Sequence, residues 1–126
     1  MPVRCDVSIP NRIAIGVAEG PVSLRDLEGF LDALEKAGAI GFRKIFDASF
    51  GTSTLSDADW LALGTRLGTY LDKRTLGPLA IVATTGTNDE LARELAALKS
   101  GKRPARVFHS IHEARRWLNT VVPIDA

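Results

Sequence analysis

Four times along the chain a Ser or Thr is followed three residues later by an acid, at Ser23/Asp26, Ser56/Asp59, Thr87/Glu90 and Ser110/Glu113, and an amphipathic run begins each time. The first turn of a helix carries N–H groups with no intrahelical partner, which a hydroxyl at the N-cap and a carboxylate three residues on satisfy or favour electrostatically. The pattern therefore predicts four helix starts. Between them lie apolar runs of strand length: Ile13 to Val17, Lys44 to Phe46 with their neighbours, Leu79 to Ala83, and Ala105 to Phe108. With one more strand at the N-terminus, the expected order is strand, strand, helix, then three strand-helix units. Successive strand-helix units form parallel strands through right-handed crossovers, whereas an opening hairpin adds an antiparallel edge. The expected fold class is α/β: a mixed five-stranded, mainly parallel sheet with an antiparallel N-terminal edge strand and four helices.

A chain of 126 residues, 45% hydrophobic and 25% charged, suits one globular domain spanning 1–126 that buries roughly two-thirds of its unfolded surface. Sixteen basic residues stand against 15 acidic ones, a net charge of +1 that gives no global attraction to nucleic acid, anionic membrane or an acidic substrate. The single Cys5 cannot form an intramolecular disulfide, and no charged-then-apolar leader opens the chain, so the cytoplasm is the expected compartment. No apolar run approaches the ~20 residues of a membrane-spanning helix, so stable membrane insertion is not expected.

Val3 to Ile9 alternates weakly, and Pro10-Asn11 supplies a turn before Arg12 to Val17. Arg4 and Asp6 in so short a first strand fit the edge of a sheet. After Gly20-Pro21, the first helix carries Leu24, Leu27, Phe30, Leu31 and Leu34 at three- and four-residue steps, and Gly38 is placed to stop it. The next strand, Arg43 to Ala48, gives way to Ser49-Phe50-Gly51-Thr52-Ser53-Thr54, read as a small polar loop at the C-terminal end of a central strand, where ligands sit in open α/β sheets. Helix two bears Trp60, Leu63, Leu67, Tyr70 and Leu71, with Lys73 and Arg74 in its last turn. Its Gly64 and Gly68 suggest close approach to a strand, a helix or another subunit. Leu91, Leu95 and Leu98 with Ala92 and Ala96 form the third stripe, and Ile111, Ala114, Trp117 and Leu118 the fourth. Both Trp60 and Trp117 fall on apolar stripes and are expected to be largely buried.

The segment from Asp47 to Ser56 is the best candidate site, because it gathers a carboxylate, a run of hydroxyls and a helix start at one end of the sheet. Asp47, Ser49, Thr52, Ser53 and Thr54 are the candidate ligand or partner loop. Ser56 has a sufficient job as a cap, and Asp57 and Asp59 would repel a second negative group there. Asp47 as a phosphoacceptor of the response-regulator type lacks the acidic pair after the first strand and the lysine after the last. An enzyme built on Asp47 and the hydroxyls is a further alternative. Thr84-Thr85-Gly86-Thr87-Asn88 has neither a P-loop lysine nor a Gly-x-Gly-x-x-Gly run, so no cofactor is expected. His109 and His112 are too few ligands for zinc, and Cys5 shows no sign of an activated thiol. Lys99, Lys102, Arg103 and Arg106 around Gly101 and Pro104 read as a solvated loop, and Arg115 and Arg116 as the wet side of the last helix. Nucleic-acid binding would want a basic stripe interleaved with exposed aromatics and is not expected.

The pattern resembles the SpoIIAA-like group of the STAS superfamily across nearly the whole chain. The resemblance rests on element order, on Lys44-Ile45-Phe46-Asp47 entering a polar loop, on Leu79-Ala80-Ile81-Val82, and on Ala105-Arg106-Val107-Phe108 leading to Glu113-Ala114-Arg115-Arg116-Trp117-Leu118. It implies a non-catalytic regulatory module that binds a protein partner or a small lipid-like ligand. Self-association is a further expectation, with a homodimer as one form it could take. In anti-sigma-factor antagonists a kinase modifies a serine in an Asp-Ser-Ser-Gly-like motif at the start of the helix after the third strand. The matching position is near Ser56, with Ser53 as the alternative acceptor, but Leu55-Ser56-Asp57-Ala58 lacks the paired serines and the glycine.

Overall fold

The computed structural model describes residues 3–72, 77–83, 89–97 and 105–120. Its elements run β1 (Val3–Ser8), β2 (Ile13–Val22), α1 (Leu24–Lys36), β3 (Arg43–Ser53), α2 (Asp57–Asp72), β4 (Leu79–Val82), α3 (Asp89–Ala97), β5 (Ala105–Phe108) and α4 (Ile111–Leu118). The strands lie in sequence order, β1-β2-β3-β4-β5, with β1 antiparallel to β2 and every later pair parallel. This is the expected mixed sheet.

Hydroxyl-acid spacing makes the caps it predicts. Ser23 accepts from the Asp26 N–H at 3.3 Å while the Ser23 N–H donates to Asp26 Oδ2 at 2.9 Å, closing a capping box. Ser56 and Asp59 exchange the same pair of bonds at 3.2 and 3.0 Å, and Ser110 accepts from the Glu113 N–H at 3.1 Å. Gly38 follows the end of α1 at φ +68°, a left-handed conformation costly to any residue with a Cβ. At the β1–β2 turn, it is Arg12 that takes positive φ, +52°. Thr87 and Glu90 as a cap, the Lys73/Arg74 turn, the Thr84–Asn88 loop, Leu98 and the basic loop from Lys99 to Pro104 lie outside the described residues, as do the side chains of Leu71 and Ala96.

The two faces of the sheet are covered unequally. Leu27, Phe30, Leu31 and Leu34 of α1, Leu63, Leu67 and Tyr70 of α2, and Leu91 and Ala92 of α3 pack on one face against Ala14, Phe46, Leu79 and Ile81. On the other face, α4 lays Ala114 and Leu118 over Ile45, Ala80, Val82 and Phe108. Ile13, Ile15 and Val17 of β2 point to that second face and stay half-buried, with Ile13 and Ile15 at the margin of the α4 cluster. Gly16 lets Phe30 onto the first face: a Cβ there would lie 2.7 Å from its ring, which packs edge-on against Phe46 at 5.5 Å.

Lys44 is 2% exposed on the helix-covered face, where its ammonium bonds Ile40 O and, at 2.9 Å, Phe42 O. A buried charge is tolerable only when it is hydrogen-bonded, and here it ties the α1–β3 connection to the sheet. Arg66 of α2 joins the helices on this face, donating to Asp32 Oδ1 at 2.6 Å and to the Tyr70 oxygen at 3.0 Å, while the Tyr70 hydroxyl donates to Glu35 Oε1 at 2.6 Å.

Three expectations need correction. The segment Ser49–Ser53 is strand, because its backbone continues the ladder to Glu19–Val22 and β2 runs correspondingly past Val17. Trp60 and Trp117 are half-buried rather than largely buried, each at the margin of its core cluster. Ile111 is 41% exposed, since it is the first residue of α4, a turn ahead of the Ala114 and Leu118 that pack on the sheet.

Candidate functional site

The far end of β3 is where the fold departs most from a regular sheet. β4 pairs only with Lys44–Asp47, so Phe50–Ser53 project beyond it as a two-stranded ribbon with Glu19–Val22. Val17 stands opposite Asp47 but Glu19 opposite Phe50, two steps on β2 against three on β3. The extra residue is a bulge, which re-aims the side chains that follow it. In a regular ladder Phe50 would point to the side opposite Asp47. With the bulge it shares the face of Glu19 and Val17 instead, and is 66% exposed. Gly51 makes the ribbon close, for a Cβ there would meet the Ala18 Cβ at 3.0 Å.

The expected site residues divide by environment. Asp47 is 7% exposed and its Oδ1 accepts from the Ser49 N–H at 3.0 Å, so the carboxylate closes the turn of the bulge. Ser49 is buried, Thr52 is exposed and Ser53 is half-buried, its Oγ accepting from the Leu55 N–H at 3.2 Å. Thr54 binds Val22 O twice, through its N–H at 3.0 Å and its hydroxyl at 2.9 Å, which pins the ribbon to the start of α2. Ser56 is exposed at that start with Asp57 beside it and Asp59 bonded to it. Thus Asp47, Ser49, Thr52, Ser53, Thr54 and Ser56 share one end of the molecule, but only Thr52, Thr54 and Ser56 face solvent fully. Leu61, 74% exposed on α2, adds an apolar side chain to the region that follows.

Sequence reasoning quoted Phe50 within the polar run without selecting it. The available signal was a large aromatic alone among Ser49, Gly51 and Thr52 with no apolar partner at strand or helix spacing. Elsewhere, His109 Nδ1 as an N–H donor meets Ala83 O at 3.1 Å, giving it a structural role at the end of β4, while His112 is exposed. Among the described residues no group of three His, Cys, Asp or Glu is placed to hold a metal ion. Cys5 is half-buried on β1, and burial, followed by the charge of Asp6, pushes its thiol pKa up. No described helix is long and apolar enough to cross a membrane.

An apolar cavity of about 50 Å³ lies under α1, α2 and α3, lined by Leu27, Leu31, Phe46, Leu63, Leu67 and Leu95 among others. Ligand pockets hold about 300–1,000 Å³, so this one is a packing gap on that scale.

An uncharacterised protein of the DUF3478 family from Shewanella loihica PV-4, itself described as having a SpoIIAA-like fold, superposes with a TM-score of 0.61 over 92% of this chain and 91% of its own at 21% identity. This chain has a SpoIIAA-like fold. The anti-sigma factor antagonist SpoIIAA in its unphosphorylated form also superposes, with a TM-score of 0.56 over 94% of this chain and 99% of its own at 11% identity. No family model matches the sequence, and no curated protein matches it closely enough to count as a relative. The SpoIIAA-like fold accounts for the whole described architecture. At these identities it carries no residue's role across.

Proposed function

We propose that this SpoIIAA-like domain is a non-catalytic, cytoplasmic regulatory module that docks a protein partner on the β2–β3 ribbon and the start of α2. The observation that carries the reading is Phe50, which the bulge turns outward to 66% exposure from a ribbon fixed by Thr54 and Val22. An exposed aromatic on a rigid support loses little conformational freedom on binding, and aromatics dominate interface hot spots. A protein partner is favoured over a lipid-like ligand at this end of the molecule because Phe50 stands on an open strand ribbon, and the apolar cavity under α1, α2 and α3, about 50 Å³, is far below the size of a ligand pocket. Catalysis is disfavoured by Asp47, whose buried carboxylate is engaged by the Ser49 N–H rather than aimed at an open cleft.

Paired affinity isolation from host extract tests this, with the wild type and Phe50→Thr as baits. The reading expects a discrete protein retained by the wild type and lost from the variant, with equal melting temperatures for both. Equal recovery on the two baits would refute docking at Phe50.

A second reading is switching by phosphorylation at Ser56, favoured by its exposed hydroxyl beside the ribbon. Asp57 and Asp59 oppose the added charge. Incorporation of phosphate by a cognate kinase that disappears in Ser56→Ala would support it, and unchanged labelling in that variant would exclude Ser56 as the acceptor.

A further inference from the structure

The sheet has β1 at one edge, and β1 reads Val3-Arg4-Cys5-Asp6-Val7-Ser8. About Cys5 its first five residues are palindromic in kind: Val3 mirrors Val7, and Arg4 mirrors Asp6 with the opposite charge. An antiparallel strand laid on itself about Cys5 therefore sets Arg4 opposite Asp6 of the second copy and Asp6 opposite its Arg4. The same register sets Val3 opposite Val7 and Cys5 opposite Cys5.

We infer that two copies of this chain associate through β1, edge to edge and antiparallel about Cys5, giving one continuous ten-stranded sheet with two-fold symmetry. The mirrored side chains of β1 set the register, and the open edge with the space beside it admits the second copy.

An edge strand carries a row of backbone donors and acceptors that another strand satisfies. Both charged residues lie on the face of β1 opposite α1, the face of Ile15 and Val17, and are exposed, whereas Val3 is buried and Cys5 and Val7 are half-buried toward α1. In an isologous interface the same patch must complement itself, and opposite charges directly across the strands do so here in two places.

Open space lies beside β1 on the side of α1. A groove of about 670 Å³ runs between β1 and the flank of α1, lined by Cys5, Arg25, Gly29, Phe30 and Ala33 among others. Joining the two β1 strands brings the second α1 to the same side of the sheet across the two-fold axis. On that flank Gly29 is exposed, and a Cβ built there meets nothing within 4 Å. Gly29 and Ala33, one helical turn apart, leave room for the neighbouring helix.

Arg4 also bonds Glu19 on β2 at 2.6 Å, but both side chains are more than half exposed and the pair is solvated. Its guanidinium has five N–H donors, enough to hold Glu19 and the Asp6 of a second copy together. The competing explanation is that Arg4 and Asp6 only guard a lone edge against aggregation. A guard predicts a monomer and has no use for the mirrored arrangement.

The interface is independent of the Phe50 reading, since it uses β1 and α1 rather than the β2–β3 ribbon. It is tested by native mass spectrometry on Arg4→Asp, Asp6→Arg and their mixture. The wild type is expected to be a dimer. Arg4→Asp places like charges opposite each other twice, as does Asp6→Arg, so each variant alone should weaken dimerisation at least about tenfold. Mixed, the two variants present acids at both positions on one chain and arginines at both on the other, and a heterodimer should form. Circular dichroism melts of each variant separate loss of pairing from loss of folding. A short bismaleimide should join Cys5 to Cys5 in the wild type and in the mixture.

A monomeric wild type would overturn the inference. So would homodimers that persist unweakened in both single variants, because the contact would then lie elsewhere. Folded single variants that remain monomeric when mixed would likewise exclude this register.

Discussion

Phe50 stands opposite Glu19 in the β2–β3 ladder, three residues beyond Asp47, while Glu19 is only two beyond Val17. That one-residue mismatch puts a large aromatic on the open side of the sheet. Its exposure of 66% means that the fold gains little from it, so the site and the core are energetically separable.

Phe50→Thr should therefore leave folding stability within about 0.5 kcal/mol of the wild type, because a surface residue is replaced by one equally suited to a strand. Chemical denaturation measures this. A loss of several kcal/mol would mean that Phe50 packs in the core.

The capping boxes set a second expectation. Ser23→Ala removes the acceptor for the Asp26 N–H and should cost about 1 kcal/mol, with Ser23→Gly costing less. The same change at Ser56 should be no more damaging, since its cap is exposed whereas that of Ser23 is part-buried. Urea melts of the two variants compare them directly.

Alkaline pH should weaken the fold through Tyr70. Burial first, then the hydrogen bond to Glu35, raises its pKa from the ordinary 10.0. Below that value the phenol is protonated in both folded and unfolded chains and its contribution is complete. Above it the unfolded phenol ionises first, the folded chain binds more protons, and stability falls as pH rises toward the folded pKa. Cys5, raised from 9.0, acts in the same direction from a slightly lower pH. Tyr70→Phe should flatten the decline above pH 10, and an unchanged slope in its pH-dependent melts would exclude Tyr70 as a source.

Gly77 should tolerate no side chain. Its N–H donates to Ile40 O at 3.1 Å, and a Cβ there would collide with Phe42 O and Gly41 O. Both obstacles are backbone atoms of the connection that Lys44 also holds. Gly77→Ala should cost at least about 2 kcal/mol, since relief requires the connection to shift. A thermal melt close to that of the wild type would contradict the close approach.

Much of the architecture was legible because its signals are local. Ser23, Ser56 and Ser110 announce their helices within one turn, and Leu79–Val82 reads as a buried strand from four apolar residues. The bulge was not legible. Ser49-Phe50-Gly51-Thr52-Ser53 has turn-like composition, and only pairing with Glu19–Val22, some thirty positions earlier, makes it strand. The burial of Lys44 was not legible either, since a lysine in a central strand gives no sign of the carbonyls of Ile40 and Phe42 that receive its charge. For the tryptophans, the apolar stripe gave direction but not depth: Trp60 and Trp117 point inward and stop at the margins of their clusters. Nor was the role of Asp47 legible, for its bond from the Ser49 N–H exists only because the strand bulges there and runs on to Ser53.

The most direct test of docking at the ribbon is photo-crosslinking in cells from a benzophenone amino acid placed at position 50, compared with one at exposed Lys36 at the end of α1. The account predicts a discrete protein adduct from position 50 that is absent from position 36. No adduct at position 50, or the same adducts from both positions, would contradict it.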